Sequence, residues 1–344
     1  MSENDSNYDF YQLPNSLSSF KEKSKSESNY SKIKKTLFII LLGNFLTILY
    51  TINHNLLKKI KYSFNCPILF NCLYFLSFGF FWLIFHHRFS KINLYNILII
   101  ILHSQYIFFN NAATYDNNLN IDFTLMFYPI CIIFTFIFNF IFFSKIKNSI
   151  VHLIGIFIVL FGIFYIYFFT NILKIYSLKE IKGHITTLIF IIISSICFSL
   201  SILLIQKYLK KSDILEFYPL YGILEGIILL FQSFFFQEPI NFLKKKEIKF
   251  NILGLIILFI INSTIFIGLF PYYIQSTSAG IFNINLCSFI FWNYLFFENI
   301  SNYHYYIGYF IIFFGIIFFS FKNSGFNNSK KLNDVSSLLN NEND

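Results

Sequence analysis

Residues Ile154–Phe164 read IGIFIVLFGIF, and 153 positions further on Ile307–Ile317 read IGYFIIFFGII. Seven of the eleven positions are identical, including two glycines seven residues apart, a spacing that puts both on one face of a helix, two turns from each other. Each phrase follows an apolar run and a short polar turn, Ser144 to Ser149 in one case and Glu298 to Tyr303 in the other. The phrase therefore marks equivalent points in two halves of the chain. Chance matching in a chain rich in Phe and Ile accounts for the shared phenylalanines and isoleucines, but less readily for two glycines in register.

Around that repeat, the 344 residues are 56% hydrophobic and only 12% charged, with 51 phenylalanines and a mean hydropathy of +0.60. The charges gather in short clusters. Between them run apolar stretches of about 20 residues, enough at roughly 1.5 Å per residue to cross a hydrocarbon core about 30 Å thick. Ten spans are predicted, over 36–56, 66–85, 95–114, 121–143, 149–170, 185–206, 214–236, 251–270, 280–297 and 304–321. The organisation is a polar, disordered N-terminal tail (1–35), a first five-helix repeat (36–170), a connecting loop (171–184), a second five-helix repeat (185–321) and a disordered C-terminal tail (322–344). Five is odd, so the second half enters the membrane from the opposite side. The fold class expected is an all-α membrane protein with ten transmembrane helices as two inverted five-helix repeats.

The net charge of +9 does not indicate nucleic acid, because the lysines sit at span ends, where they anchor helices in the bilayer interface. The bilayer is the partner they imply. The five cysteines (Cys66, Cys72, Cys131, Cys197 and Cys287) fall inside spans without metal-ligand spacing, so neither a disulfide framework, a metal nor a cofactor is expected. Residues 1–35 lack the apolar core of a cleavable leader, and the first span is expected to direct insertion itself. Six lysines ahead of that span argue for cytosolic termini, against the run Leu243–Lys249, which falls on the other side. Plasma membrane and endomembrane both remain open; Asp334–Leu339 resembles an acidic dileucine sorting signal.

Polar residues inside spans report which helix face is interior, since an amide, hydroxyl or imidazole is costly against lipid. Span 1 carries Asn44, Thr47, Thr51 and His54 at a spacing of three, four and three, one helical face. Similar stripes are His103, Tyr106 and Asn110 in span 3, Thr124, Tyr128, Cys131 and Thr135 in span 4, and Tyr218, Tyr221, Glu225 and Gln232 in span 7. Shorter ones are Ser195, Ser199 and Gln206 in span 6, and Asn285, Ser288 and Trp292 in span 9. Spans 5 and 10, which hold the glycine phrase, show almost none and read as peripheral packing helices. Converging stripes suggest a shared polar interior, although any one of them could equally be interhelical hydrogen bonding. Glu225, near the centre of span 7, is the most informative residue. An ionised carboxylate there costs several kcal/mol unless solvated, paired or protonated, which suits proton coupling or a cationic substrate group; the bland reading is a neutral acid bonded to a neighbouring helix. His54 and His103 read as structural, because no carboxylate or cysteine lies at a spacing that completes a metal or nucleophile site. Pro129 and Pro271 each remove a backbone hydrogen bond within a span.

The segments NAATYDNNLNIDFTLMFYP (111–129), VHLIGIFIVLFGIF (151–164), LEFYPLYGILEG (215–226) and STSAGIFNINLCSFIFWNYLFFENISNYHYYIGYFIIFFGIIFFSF (276–321) resemble the drug/metabolite transporter superfamily. The nearest resemblance is to the F branch of solute carrier family 35, a group similar to nucleotide-sugar transporters. It covers roughly residues 36–321 and is most specific in the last segment. It implies a carrier fold whose central pocket opens alternately to each side, and a small-molecule substrate of nucleobase or nucleotide type. Two departures bear on that: Gln206-Lys207-Tyr208 stands where the family has two acidic residues before the tyrosine, and Glu225 stands where it has a neutral residue. The spans also lack Lys/Arg pairs to clamp a phosphate, so a neutral or cationic metabolite fits better than an anionic sugar nucleotide.

The expectation is a secondary carrier, not an enzyme, with possible proton coupling through Glu225 and a possible homodimeric assembly. Its cavity would be lined by Asn44, Thr47, Thr51, His54, His103, Tyr106, Asn110, Thr124, Tyr128, Tyr221, Glu225, Asn285 and Ser288. A polytopic membrane enzyme would instead need a histidine brought to an acid in a lipid-accessible cleft. A non-transporting scaffold or receptor would show polar stripes that interlock.

Overall fold

The computed structural model of the chain describes residues 29–86, 92–114, 124–143, 150–171, 178–209, 214–244, 250–297 and 304–323. Among these residues every regular element is an α-helix and there is no strand. In chain order they are α1 (Asn29–Phe64), α2 (Pro67–His86), α3 (Leu94–Thr114), α4 (Thr124–Phe143), α5 (Ile150–Asn171), α6 (Leu178–Tyr208), α7 (Ile214–Phe235), α8 (Glu238–Leu243), α9 (Phe250–Ser276), α10 (Ala279–Leu286), α11 (Phe289–Phe297) and α12 (His304–Asn323). Among the described residues six segments are long and apolar enough to cross a membrane: Leu37–Lys61, Pro67–His86, Thr186–Tyr208, Ile214–Phe235, Phe250–Ser276 and Ala279–Phe297. Shorter apolar helical runs occupy Ile130–Phe142, Leu153–Ile166 and Tyr306–Phe319. The chain is an integral, polytopic, all-α membrane protein.

The helices differ from expectation in four places. α1 starts at Asn29, inside the tail expected to be disordered, and runs past residue 56 to Phe64. It continues because Leu56, Ile60 and Phe64 recur every four residues and stay buried while Lys58 and Lys59 face out, so the apolar face outlasts the apolar run. α6 starts at Leu178, within the expected connecting loop. α8 is an additional short helix after α7. The ninth span is broken: α10 and α11 meet at Cys287 and Ser288, whose N–H groups reach back only three residues, to Ile284 O and Asn285 O.

α1 turns into α2 through Asn65, which takes a left-handed conformation (φ 54°), and Pro67 opens the new helix where its missing N–H costs nothing. The first turn of α2 is held from outside. Glu238, buried at the start of α8, accepts from Ile68 N at 3.3 Å and Leu69 N at 2.7 Å. A carboxylate on these two N–H groups satisfies donors that no helix can satisfy for itself, at the positive end of the helix dipole.

Packing is dominated by pairs that join a helix of the first five to one of the last seven: α5 on α12, α2 on α7, α3 on α6, α1 on α9, α4 on α6, and α10 and α11 on α1. The glycine phrase explains the first of these. A Cβ on Gly155 would lie 3.1 Å from Gly315 O, and one on Gly162 would lie 3.0 Å from Gly308 O, so the two copies of the phrase cross antiparallel with backbone against backbone. α2 and α7 use the same device more tightly: a Cβ on Gly222 would sit 2.5 Å from the Cα of Gly79. The outer faces of α5 and α12 carry exposed Phe157, Phe161 and Phe164, and Phe310, Phe314 and Phe318, as lipid-facing helices do.

Candidate functional site

Two seams flank the middle of the bundle. In the first, α1 runs antiparallel to α9 and parallel to α10 and α11. Thr47 Oγ1 lies 2.9 Å from Gly43 O of its own helix and 3.1 Å from Asn285 O of α10, sharing one proton between them. Asn55 Nδ2 donates to Asn293 Oδ1 at 2.7 Å, and Trp292 Nε1 to Asn44 Oδ1 at 3.3 Å. Asn262 of α9 donates to Leu49 O at 2.7 Å and Asn53 Oδ1 at 2.6 Å. In the second seam, α6 runs antiparallel to α3 and parallel to α4. Serines replace amides there: Ser194 Oγ to Tyr106 O at 3.1 Å, Ser195 Oγ to Phe127 O at 3.4 Å, and Ser199 Oγ to Cys131 O at 3.0 Å.

Between the seams stands the one buried ion pair among the described residues. Glu225 of α7 is 0% exposed and His103 of α3 is 7% exposed. His103 Nδ1 lies 2.5 Å from Glu225 Oε1 and 2.9 Å from Tyr221 Oη. Nδ1 thus sits between a carboxyl oxygen and a phenol oxygen, and whether it donates or accepts follows from the imidazole tautomer. Glu225 Oε2 is buried without a hydrogen-bond partner. Sequence spacing offered His103 no acid; a helix 122 residues away supplies one.

Phenols and aromatic rings enclose the pair. Phe75 meets His103 edge-on at 5.9 Å, Tyr106 meets it at 5.2 Å, and Tyr74 packs on Phe75 with ring centroids 4.3 Å apart. Tyr106 packs on Phe127 and Phe198; Tyr50, on α1, sits 5.8 Å from Tyr128, 5.7 Å from Phe266 and 5.5 Å from Phe289. Rings from α1, α2, α3, α4, α6, α7, α9 and α11 thus converge on the middle of the bundle.

The sequence-derived residues divide accordingly. His103, Tyr106, Tyr221 and Glu225 come together, and Tyr128 reaches them through Phe127 and Tyr106. Asn44, Thr47, Asn285 and Ser288 belong to the first seam: Asn285 Nδ2 donates to Tyr273 Oη and Ile281 O, both at 2.9 Å, and Ser288 Oγ to Asn285 O at 2.7 Å. Thr51 bonds Thr47 O within α1 at 2.7 Å. His54 meets Phe289 edge-on at 5.2 Å, and Asn110 is half-buried on α3. Thr124 opens α4, but its side chain lies outside the described residues, as does that of Pro129. Tyr50 and Tyr74 were missed, because a tyrosine in a chain with 22% aromatic residues gives no signal of its own. No group of three His, Cys, Asp or Glu that could hold a metal occurs among the described residues.

No family model matches the chain, and no curated protein sequence matches it.

Proposed function

We propose that the protein is a secondary carrier of the drug/metabolite transporter type, moving a small neutral or cationic metabolite by alternating access, with Glu225 as the proton- or cation-linked group. The observation that carries this reading is the Glu225–His103 pair, a titratable couple with one unpartnered carboxylate oxygen, buried among phenols where eight helices converge. Such intramembrane groups are expensive, and pathways for ions and substrates are where membrane proteins keep them.

The scaffold proposed is two inverted five-helix repeats, α1–α5 and α6–α12. Three features support it. Every major pairing has a counterpart when the halves are exchanged: α1 on α9 with α6 on α3, and α1 on α10–α11 with α6 on α4. The directions agree too, antiparallel in the first case and parallel in the second. α5 with α12, and α2 with α7, each pair with their own equivalents, as helices on a two-fold axis do.

His103 beside an acid meets half of what a membrane enzyme would require, but the pair is enclosed, not set in a cleft open to lipid, so the carrier reading is preferred. Counter-flow of labelled metabolites in proteoliposomes tests it, with candidates chosen by an untargeted screen of what the purified protein retains. Saturable exchange that responds to pH in the wild type and loses that response in Glu225→Gln is the result expected. Absence of exchange for every retained metabolite overturns the carrier; an unchanged rate and pH response in Glu225→Gln removes the coupling role alone.

A further inference from the structure

Away from the central pair, a partly open cleft with about 30 Å3 of free space, room for one small polar group, lies between α4, α5, α10 and α12. Its walls are apolar, with Phe136, Ile156 and Phe319, but three polar side chains enter it: Thr135, Asn139 and Asn283. Asn283 is 1% exposed and donates through Nδ2 to Thr135 Oγ1 at 2.5 Å. Its Oδ1 is buried and has no hydrogen-bond partner. A buried amide oxygen left unmatched costs roughly 1–3 kcal/mol, so the cleft is built with an acceptor still to be satisfied.

The position narrows what can satisfy it. Asn139 stands four residues before the end of α4 and Asn283 four residues after the start of α10, so both amides lie roughly 6 Å inside the helix ends. Around them the surface is lipid-facing: Phe140, one turn on from Phe136, and Phe157, beside Ile156, are largely exposed. A ligand reaching this depth from the bilayer needs an apolar body and a small donor at its polar end. A hydroxyl fits, and because it both donates and accepts it also satisfies the amide in either orientation. The free space inside the cleft takes the hydroxyl group alone, so the rest of the lipid lies outside it, along the aromatic outer faces of α4 and α5.

We infer that this cleft binds a membrane lipid with a free hydroxyl, which donates to Asn283 Oδ1. No residue of the Glu225 centre takes part, so the inference stands or falls independently of transport.

Full-length protein in phosphatidylcholine nanodiscs, with photoactivatable alkyne analogues of cholesterol and of diacylglycerol as two separate probes, provides the test. Labelling of peptides from α4 or α10 by one probe identifies the source. The unlabelled alcohol is expected to compete roughly tenfold better than its O-methyl ether, the difference one hydrogen bond to a buried group makes. Asn283→Leu is expected to weaken labelling by a similar factor. Gly280→Leu is the second variant: a Cβ there meets Phe319 at 3.4 Å and Ser278 Oγ at 3.8 Å, both ordinary contacts, so a larger side chain is expected to fill the cleft while leaving the Asn283–Thr135 bond in place. Loss of labelling in Gly280→Leu supports the site even if Asn283→Leu fails to fold. Labelling by neither probe, equal competition by the ether, or wild-type labelling in Gly280→Leu overturns it.

Discussion

The two seams beside the centre pack alike and are written differently. Where α1 meets α9, α10 and α11, asparagines recur among the side-chain bonds: Asn262 donates to α1, Asn55 to α11 and Asn285 to Tyr273 of α9, beside the bonds of Thr47 and Trp292. Where α6 meets α3 and α4, small serines bond backbone carbonyls and the helices' larger polar groups are freed for other contacts. The ionisable pair sits on the serine side, on α3 and α7. An amide seam locks its own side chains together; a serine seam uses little volume and leaves His103 and Tyr106 to point inward. Equivalent packing can thus carry unequal chemistry, and the charge has gone to the side with fewer side-chain bonds of its own.

That contrast can be broken in a graded way. The largest effect is expected outside both seams, at the contact that α2 and α7 make. Gly222→Ala puts a carbon 2.5 Å from the backbone of Gly79, which cannot yield as a side chain would. A loss of about 3 kcal/mol, or failure to fold, is expected in reversible unfolding, within the range that overpacking costs. Next comes Glu225→Gln, expected to leave unfolding nearly unchanged, to lower exchange more than tenfold and to flatten its pH profile. Asn262→Leu is expected to cost about 1 kcal/mol, as interhelical hydrogen bonds in membranes do. Ser194→Ala should cost least, about 0.5 kcal/mol by the same measurement. If the serine change costs as much as the asparagine change, the two seams are energetically alike and the comparison fails.

Much of this architecture was legible in the chain. The glycine phrase located α5 and α12 and gave each the face it turns to the other, because glycine periodicity and helix packing obey one geometry. Glu225 was legible because an acid in an apolar run has few explanations. Its partner was not: His103 was marked as polar and interior, but a contact across 122 residues leaves no local spacing to read. The stripe Asn44, Thr47 and Thr51 was placed on an interior face, and in the structure its members bond their own helix and α10 and α11, so a polar face marks a packing seam as readily as a wet surface. The break at Cys287 and Ser288 was invisible, since neither residue is a glycine or a proline and the tightening lies in the backbone alone.

Glu238 has a consequence for movement. By bracing the first turn of α2 with a carboxylate that follows directly from the end of α7, it ties these two helices at one end while Gly79 and Gly222 interlock them further along. α2 and α7 form a keel. In the alternating access proposed above, the moving helices would swing around that keel, and a distance probe from Leu69 to Phe235 is expected to read the same length in every state the protein visits.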